Sequence, residues 1–170
     1  MKSKKLIRAV IILAIVIVSV ALDQISKNIV RKDMLPNQEI SYLGNHFTLT
    51  RVENTGAFLS LGDSISGPLR FILLTLLPVL ALIAGLVIVI VRTDINRWVL
   101  LAICLMIGGG IGNIYDRIIH GSVTDFLYIG FGGFLHTGVF NVADIWVSAG
   151  FLILLFHSWV NRNKPEPAKH

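Results

Sequence analysis

The sequence predicts a membrane all-α bundle of four transmembrane helices, with a small extracytoplasmic antiparallel β-sheet and a mobile extracytoplasmic loop. Three observations predict it. Of the 170 residues, 54% are hydrophobic and only 15% are charged, against about 25% charged in soluble domains. Four apolar segments, at about 6–22, 69–91, 98–116 and 142–160, each have roughly the ~20 residues that cross a bilayer as a helix. Two long polar intervals, about 36–66 and about 118–141, lie between them. The whole of 1–170 reads as a single integral membrane domain.

The first segment follows Lys2, Lys4, Lys5 and Arg8. A basic start, an apolar run and Ser19-Val20-Ala21 also fit a cleavable secretory signal. The run is long for one, and three further spans follow, so an uncleaved helix is expected. All four spans should be helical because lipid cannot satisfy backbone polar groups. If the N-terminus is cytoplasmic, the inner side holds Lys2, Lys4, Lys5, Arg8, Arg92, Arg97, Arg162, Lys164 and Lys169, against only Asp94 and Glu166. That is the positive-inside pattern, and it puts both termini in the cytoplasm. Trp98, Trp146 and Trp159 fall near span ends, where aromatic anchors belong. The net charge of +5 is thus a matter of topology. No basic patch is interleaved with aromatics, so nucleic acid is not an expected partner.

In the first outer interval, Ile40-Ser41-Tyr42 and 47–52 alternate as strands do, and Gly44-Asn45 reads as a two-residue hairpin turn. This region, about 36–66, should form the outer sheet. Phe58, Leu59 and Leu61 are placed to dip into the interface. The second interval carries Gly121, Gly130, Gly132, Gly133 and Gly138, which suggest a mobile loop. The polar tail from Asn161 to His170 should fray. No internal repeat is visible.

Charges near lipid are expensive and usually functional. Asp125 and Asp144 sit at outer ends of apolar segments. Two readings stay open for them. Each caps a helix or pairs with a base, or the two face each other, share a proton and activate water on a carbonyl, as an aspartic protease does. Asp116, next to Arg117, reads as a brace for the loop. Gly108, Gly109, Gly110 and Gly112 suit close helix contact; no Walker lysine follows them. Asp23 and Lys27 form an i,i+4 pair at the end of the first span. Asn54-Thr55-Gly56 is no glycosylation sequon, and its Asn suits the backbone of an extended peptide. His46, His120, His136, His157 and His170 have no metal-ligand spacing, so neither metal nor cofactor is expected. Cys104 reads as a small core residue. Ser60 and Ser122 lack a base at a convincing spacing.

These residues resemble a known family. Leu22-Asp23-Gln24-Ile25-Ser26-Lys27 is similar to the first box of the lipoprotein signal peptidases (signal peptidase II), the bacterial prolipoprotein signal peptidase family. Asn54-Thr55-Gly56-Ala57 resembles the second box, 112–117 the third, Val123-Thr124-Asp125-Phe126 the fourth and Phe140-Asn141-Val142-Ala143-Asp144 the fifth. The boxes stand in family order across essentially the whole chain. The resemblance implies a multi-pass aspartic endopeptidase of the bacterial cytoplasmic (inner) membrane, with its active site near the outer face. It implies removal of the signal peptide from diacylglyceryl-modified prolipoproteins, with the cut on the N-terminal side of the lipidated cysteine. It maps the catalytic dyad to Asp125 and Asp144. Substrate-binding or supporting roles map to Asp23, Lys27, Asn54, Gly56, Asn113, Asp116, Arg117, Asn141 and Ala143. Membrane lipid is an expected partner, globomycin an expected inhibitor, and a monomer the expected state. One departure is visible: Phe58 brings an aromatic into the second box one place early.

Rival readings predict different sequences. A transporter using acids as a proton relay would distribute them over several depths, often within an inverted repeat. A presenilin-like protease would carry Gly-x-Gly-Asp, and Gly130-Phe131-Gly132-Gly133 lacks the acid. A non-enzymatic assembly factor would tolerate loss of either Asp125 or Asp144.

Overall fold

The computed structural model describes residues 2–56, 67–132 and 134–162, with side chains from residue 5 onward. Its elements are α1 (Lys2–Asp33), β1 (Glu39–Tyr42), β2 (Phe47–Asn54), α2 (Gly67–Val91), α3 (Arg97–His120), β3 (Val123–Ile129) and α4 (Val142–Asn161). Among the described residues, four helices are long and apolar enough to span a membrane. Their outward faces expose Val10, Ile17, Ile29, Leu80, Ile83, Phe151 and Leu155. A soluble protein would bury such residues; a bilayer solvates them.

Helix α1 does not stop at Leu22, where the apolar run ends. It continues to Asp33, for 32 residues. That is about 48 Å at 1.5 Å per residue, longer than a hydrocarbon core of about 30 Å. Asp23, Lys27 and Arg31 therefore project from a continuing helix. Asp23 is matched by Lys27 of the same helix, and Lys27 and Arg31 by Asp116 of α3, so the helix has no need to end in water. At the opposite end, Arg8 donates to the carbonyls of Val89, Arg92 and Thr93 at 3.1, 2.6 and 2.8 Å. These carbonyls belong to the end of α2, where helical acceptors lack internal donors.

Helix α3 is the hub of the bundle, and its glycines explain why. A Cβ on Gly108 would lie 2.5 Å from the Ser19 Cβ of α1, and one on Gly110 2.7 Å from Leu82 of α2. A Cβ on Gly109 would collide with the Ala143 carbonyl of α4, and one on Gly112 with the Asp23 carboxylate. Four small residues thus admit three neighbours at backbone distance. Cys104 is fully buried in the apolar core with Ile12, Val89 and Ile107, in keeping with the packing role read from the sequence. Helix α2 contains a π-helical turn, Ile72–Leu76, just before Pro78.

The sheet has three antiparallel strands in the order β1-β2-β3. The β1–β2 hairpin pairs Tyr42 with Phe47. Its connection is therefore the four residues 43–46, where Gly44-Asn45 alone was expected to make the turn. Leu43, Gly44 and Asn45 all have positive φ, which lengthens the turn past the two-residue form. The second departure is larger. The interval 118–141, read from its glycines as a loop, contains strand β3 along β2. Its return arm bonds back to β3: Phe140 N–H donates to Leu127 O at 2.9 Å and Thr137 N–H to Ile129 O at 2.8 Å. Backbone amides next to lipid need partners, and the paired arms supply them. Phe58, Leu59, Leu61 and Ser60 lie outside the described residues.

Strand β2 carries a bulge. Leu49 opposes Leu127, but Val52, rather than Arg51, opposes Asp125. One extra residue in β2 shifts every later side chain to the other face. As a result Asn54 shares a face with Asp125, while Glu53 shares the opposite face with Thr124.

Candidate active site

A fully buried ion cluster joins α1 to α3. Lys27 and its partners Asp23 and Asp116 are each 0% exposed. The ammonium has three protons and uses three acceptors: Asp23 Oδ2 at 2.8 Å, Asn113 Oδ1 at 2.8 Å and Asp116 Oδ2 at 2.9 Å. Asp116 Oδ1 also meets Arg31 at 2.9 Å and Gln24 at 3.1 Å. Breaking such a cluster from one side strands a buried charge, at a cost of about 3–5 kcal/mol.

The cluster orients the next shell. An ammonium can only donate, so Asn113 must turn its oxygen toward Lys27. Its amide nitrogen then points the other way and donates to Asp144 Oδ1 at 2.9 Å. Asn113 Oδ1 also accepts from Asn141 Nδ2 at 3.1 Å. Asp23 reaches across to α4, where its Oδ1 accepts the backbone N–H of Ala143 at 2.9 Å. The first turn of α4 is thereby tied to α1.

Asp144 occupies that turn. Asn141 is the N-cap residue, and the two form a reciprocal capping box: Asp144 N–H donates to Asn141 Oδ1 at 3.0 Å, and Asn141 N–H donates to Asp144 Oδ2 at 3.1 Å. The helix-cap reading of Asp144 is correct, and it coexists with a face open to a cavity. Asp125 stands on β3, 4% exposed. Asn141 Nδ2 donates to its Oδ1 at 2.6 Å, and Asn54 Nδ2 donates to its Oδ2 at 2.8 Å. Burial pushes the Asp125 carboxyl up to about 6; the Asn54 and Asn141 amides oppose that shift and the nearby charge of Asp144 adds to it.

The two carboxylates line one cavity of about 200 Å³, together with Asn54, Asn113, Arg117 and Asn141 and the apolar side chains of Leu74, Pro78, Val123 and Val139. Arg117 donates to the Gly56 carbonyl at 3.0 Å, and Gly56 N–H donates to Asn54 Oδ1 at 2.9 Å. A second, larger and mainly apolar groove of about 540 Å³ runs along α4 from Asp144 past Ile145 and Ser148 to Leu152. A polar cavity and an apolar groove therefore meet at Asp144. Among the described residues, no three His, Cys, Asp or Glu side chains gather as a metal site.

Asp23, Lys27, Asn54, Gly56, Asn113, Asp116, Arg117, Asn141 and Ala143 all join one hydrogen-bonded unit with Asp125 and Asp144. Gln24, Arg31, Glu53 and Thr124 join it as well, and the sequence reading passed over them. Gln24 carried a signal, one residue after Asp23. Glu53 and Thr124 are brought together by the bulge in β2, which has no signature in the sequence.

The chain also matches known proteins. A family model described as Signal peptidase (SPase) II matches residues 15–160. A lipoprotein signal peptidase of Streptococcus agalactiae serotype V is 33% identical over 154 residues, covering 89% of this chain and 94% of its own. A lipoprotein signal peptidase of Pseudomonas syringae pv. tomato is 29% identical over 150 residues, covering 86% and 84%. A solved bacterial membrane enzyme structure superposes with a TM-score of 0.79 at 25% identity, over 94% of each chain.

Proposed function

This chain belongs to the signal peptidase II family, and from that premise we propose that Asp125 and Asp144 are the catalytic pair of its lipoprotein signal peptidase activity. It is a multi-pass membrane aspartic peptidase whose substrates are prolipoproteins. The observation that carries the assignment is the bridge made by Asn141. One residue bonds Asp125 through its side chain and Asp144 through its backbone, and both acids face the same cavity.

In the mechanism we infer, Asp125 is the protonated partner. Its O–H polarises the scissile carbonyl, while Asp144 takes a proton from water in the cavity as the water oxygen attacks the carbonyl carbon. Asp125 gives its proton to the developing alkoxide. As the tetrahedral intermediate collapses, Asp144 returns a proton to the departing amine, the C–N bond breaks, and a hydroxyl proton restores Asp125. Asn54, Gly56 and Arg117 grip the peptide backbone. The groove along α4 receives acyl chains, which fits a diacylglyceryl-modified cysteine cut on its N-terminal side. Globomycin is expected to block the enzyme by filling the same cavity. Every group in this scheme comes from one chain, so a monomer suffices. Arg8, Arg92, Arg97 and Arg162, at the helix ends away from the site, favour a cytoplasmic position for both termini and an outer position for the site.

Asp116 is a further buried acid, and it accepts the N–H of Thr124 next to Asp125. Its two oxygens are already engaged by Lys27, Arg31 and Gln24, and it does not line the cavity. It serves better as a brace than as a proton carrier. The deciding experiment incubates purified Asp125→Asn and Asp144→Asn with a diacylglyceryl-modified prolipoprotein and reads cleavage on a gel. Both variants should fold and neither should cut. Cleavage by either overturns the assignment.

A further inference from the structure

We propose that Arg31, Thr124 and Glu53 form a positioning chain that sets Asp125 from the face of the sheet opposite the cavity. The proposal rests on Asp125 being catalytic. Its starting point is the bulge in β2, which puts Glu53 directly across from Thr124. The residues that follow them in sequence are Asn54 and Asp125, and these bond each other on the cavity side at 2.8 Å. The same two strand segments are thus tied twice, once on each face.

The tie on the rear face is complete. Thr124 is fully buried, and its Oγ1 donates to the Glu53 carboxylate, with both oxygens at 3.1 Å. The same Oγ1 accepts from Arg31 Nε at 2.8 Å. Arg31 is a fork: its Nη2 meets Asp116 Oδ1 at 2.9 Å. Asp116 also receives Thr124 N–H at 3.4 Å. Arg31 therefore spans from the ion cluster of α1 and α3 to the strand that carries Asp125. Its own carbonyl accepts from Arg51 of β2 at 3.0 Å, so the helix holds both strands. Ser122 Oγ donates to Glu53 at 2.8 Å and closes the near end.

This arrangement has a mechanical consequence. Asp125 is in a strand, while Asp144, Asn113 and Lys27 are on helices. A sheet that slid against the bundle would open the gap between the two carboxylates with no break in any catalytic residue. Among the described side chains, Arg31 and Thr124 make the polar tie of β3 to helices α1 and α3 next to Asp125, beside the apolar packing of Phe126 on Val30. Neither group touches the cavity, so the effect must pass through the position of Asp125. Displacements of about 1 Å in a catalytic group can cost on the order of 100-fold in rate.

The test compares Thr124→Val, Thr124→Ser and Arg31→Lys with wild type and with Asp125→Asn, in kcat and KM on lipidated prolipoprotein. Thr124→Val keeps the side-chain shape and loses the hydroxyl; it should lower kcat about 10- to 100-fold while KM stays within about threefold. Thr124→Ser keeps the hydroxyl and should recover most of the rate. Arg31→Lys keeps the charge beside Asp116 but cannot fork, and it should behave like Thr124→Val. If Thr124→Val fails to fold, Arg31→Lys, at a partly exposed position, carries the same test. Wild-type kcat in the folded Thr124→Val or Arg31→Lys variant overturns the proposal, as does equal loss of activity in Thr124→Ser and Thr124→Val. Cleavage by Asp125→Asn would instead overturn the catalytic assignment itself, so the two failures are told apart.

Discussion

The side-chain amide of Asn141 donates to Asp125 Oδ1 at 2.6 Å. The same residue caps α4 and holds Asp144 through its backbone. One asparagine therefore links a strand acid to a helix acid. Asn141→Ala should lose the side-chain link to Asp125 and the cap on the Asp144 N–H, while its backbone N–H still reaches Asp144 Oδ2. The lost cap alone should cost about 1 kcal/mol of stability. Cleavage should fall by about 100-fold or more, since a donor to a reacting group is worth that much. Thermal denaturation in detergent and a lipoprotein cleavage assay measure the two effects separately.

The elevated Asp125 carboxyl makes a prediction about pH. The proposed mechanism needs its proton, and that proton is lost as pH rises through about 6. The profile of kcat/KM, which reports the free enzyme, should therefore have an alkaline limb starting near pH 6. The Asn54 amide favours the ionised carboxylate. Removing it in Asn54→Ala should move that limb to higher pH. A limb that stays in place or moves down would contradict the assignment.

The same shift has a consequence for stability. Asp125 has a folded value of about 6 against an ordinary 3.8, so between those values the folded state binds the extra proton. Stability from this group is greatest below about 3.8 and declines as pH rises to about 6. Asp125→Ala should flatten this part of the curve when melting temperature is followed from pH 4 to 7.

Lys27 gives the sharpest test of the ion cluster. Lys27→Met leaves Asp23 and Asp116 buried with their shared cation gone. The expected loss is about 3–5 kcal/mol, read as a large drop in melting temperature or in folded yield. Asn113 would also lose the donor that fixes its orientation, so any folded fraction should cut slowly. Gly112→Ala attacks the same place by volume, because the new methyl would meet the Asp23 carboxylate. Overpacking of this kind costs about 1–3 kcal/mol.

The groove beside Asp144 predicts dependence on the lipid. A prolipoprotein lacking its diacylglyceryl group should be cut far more slowly than the modified form in matched detergent. Equal initial rates would remove acyl chains from the proposed role of the α4 groove.

Much of this was legible in the sequence. Four apolar runs made four membrane helices because lipid leaves the backbone no other choice. Asp23 and Lys27 announced an ion pair by their i,i+4 spacing, and Asn141 and Asp144 stand three apart, the spacing of a capping box. Scarce charge made each acid conspicuous, so Asp125 and Asp144 stood out before any fold was known. Three things were decided only by the tertiary structure. Helix α1 runs on past its apolar segment because α3 supplies partners for its charges. The glycine-containing interval after α3 becomes strand β3 because β2 and its own return arm offer hydrogen bonds that water-exposed loops do not need. The bulge in β2 selects Asn54, and not Glu53, to face Asp125. Local sequence determines spans and caps because these depend on neighbours three or four residues apart. Register and the identity of distant partners depend on what packs against a strand, and that is settled only when the bundle and the sheet meet.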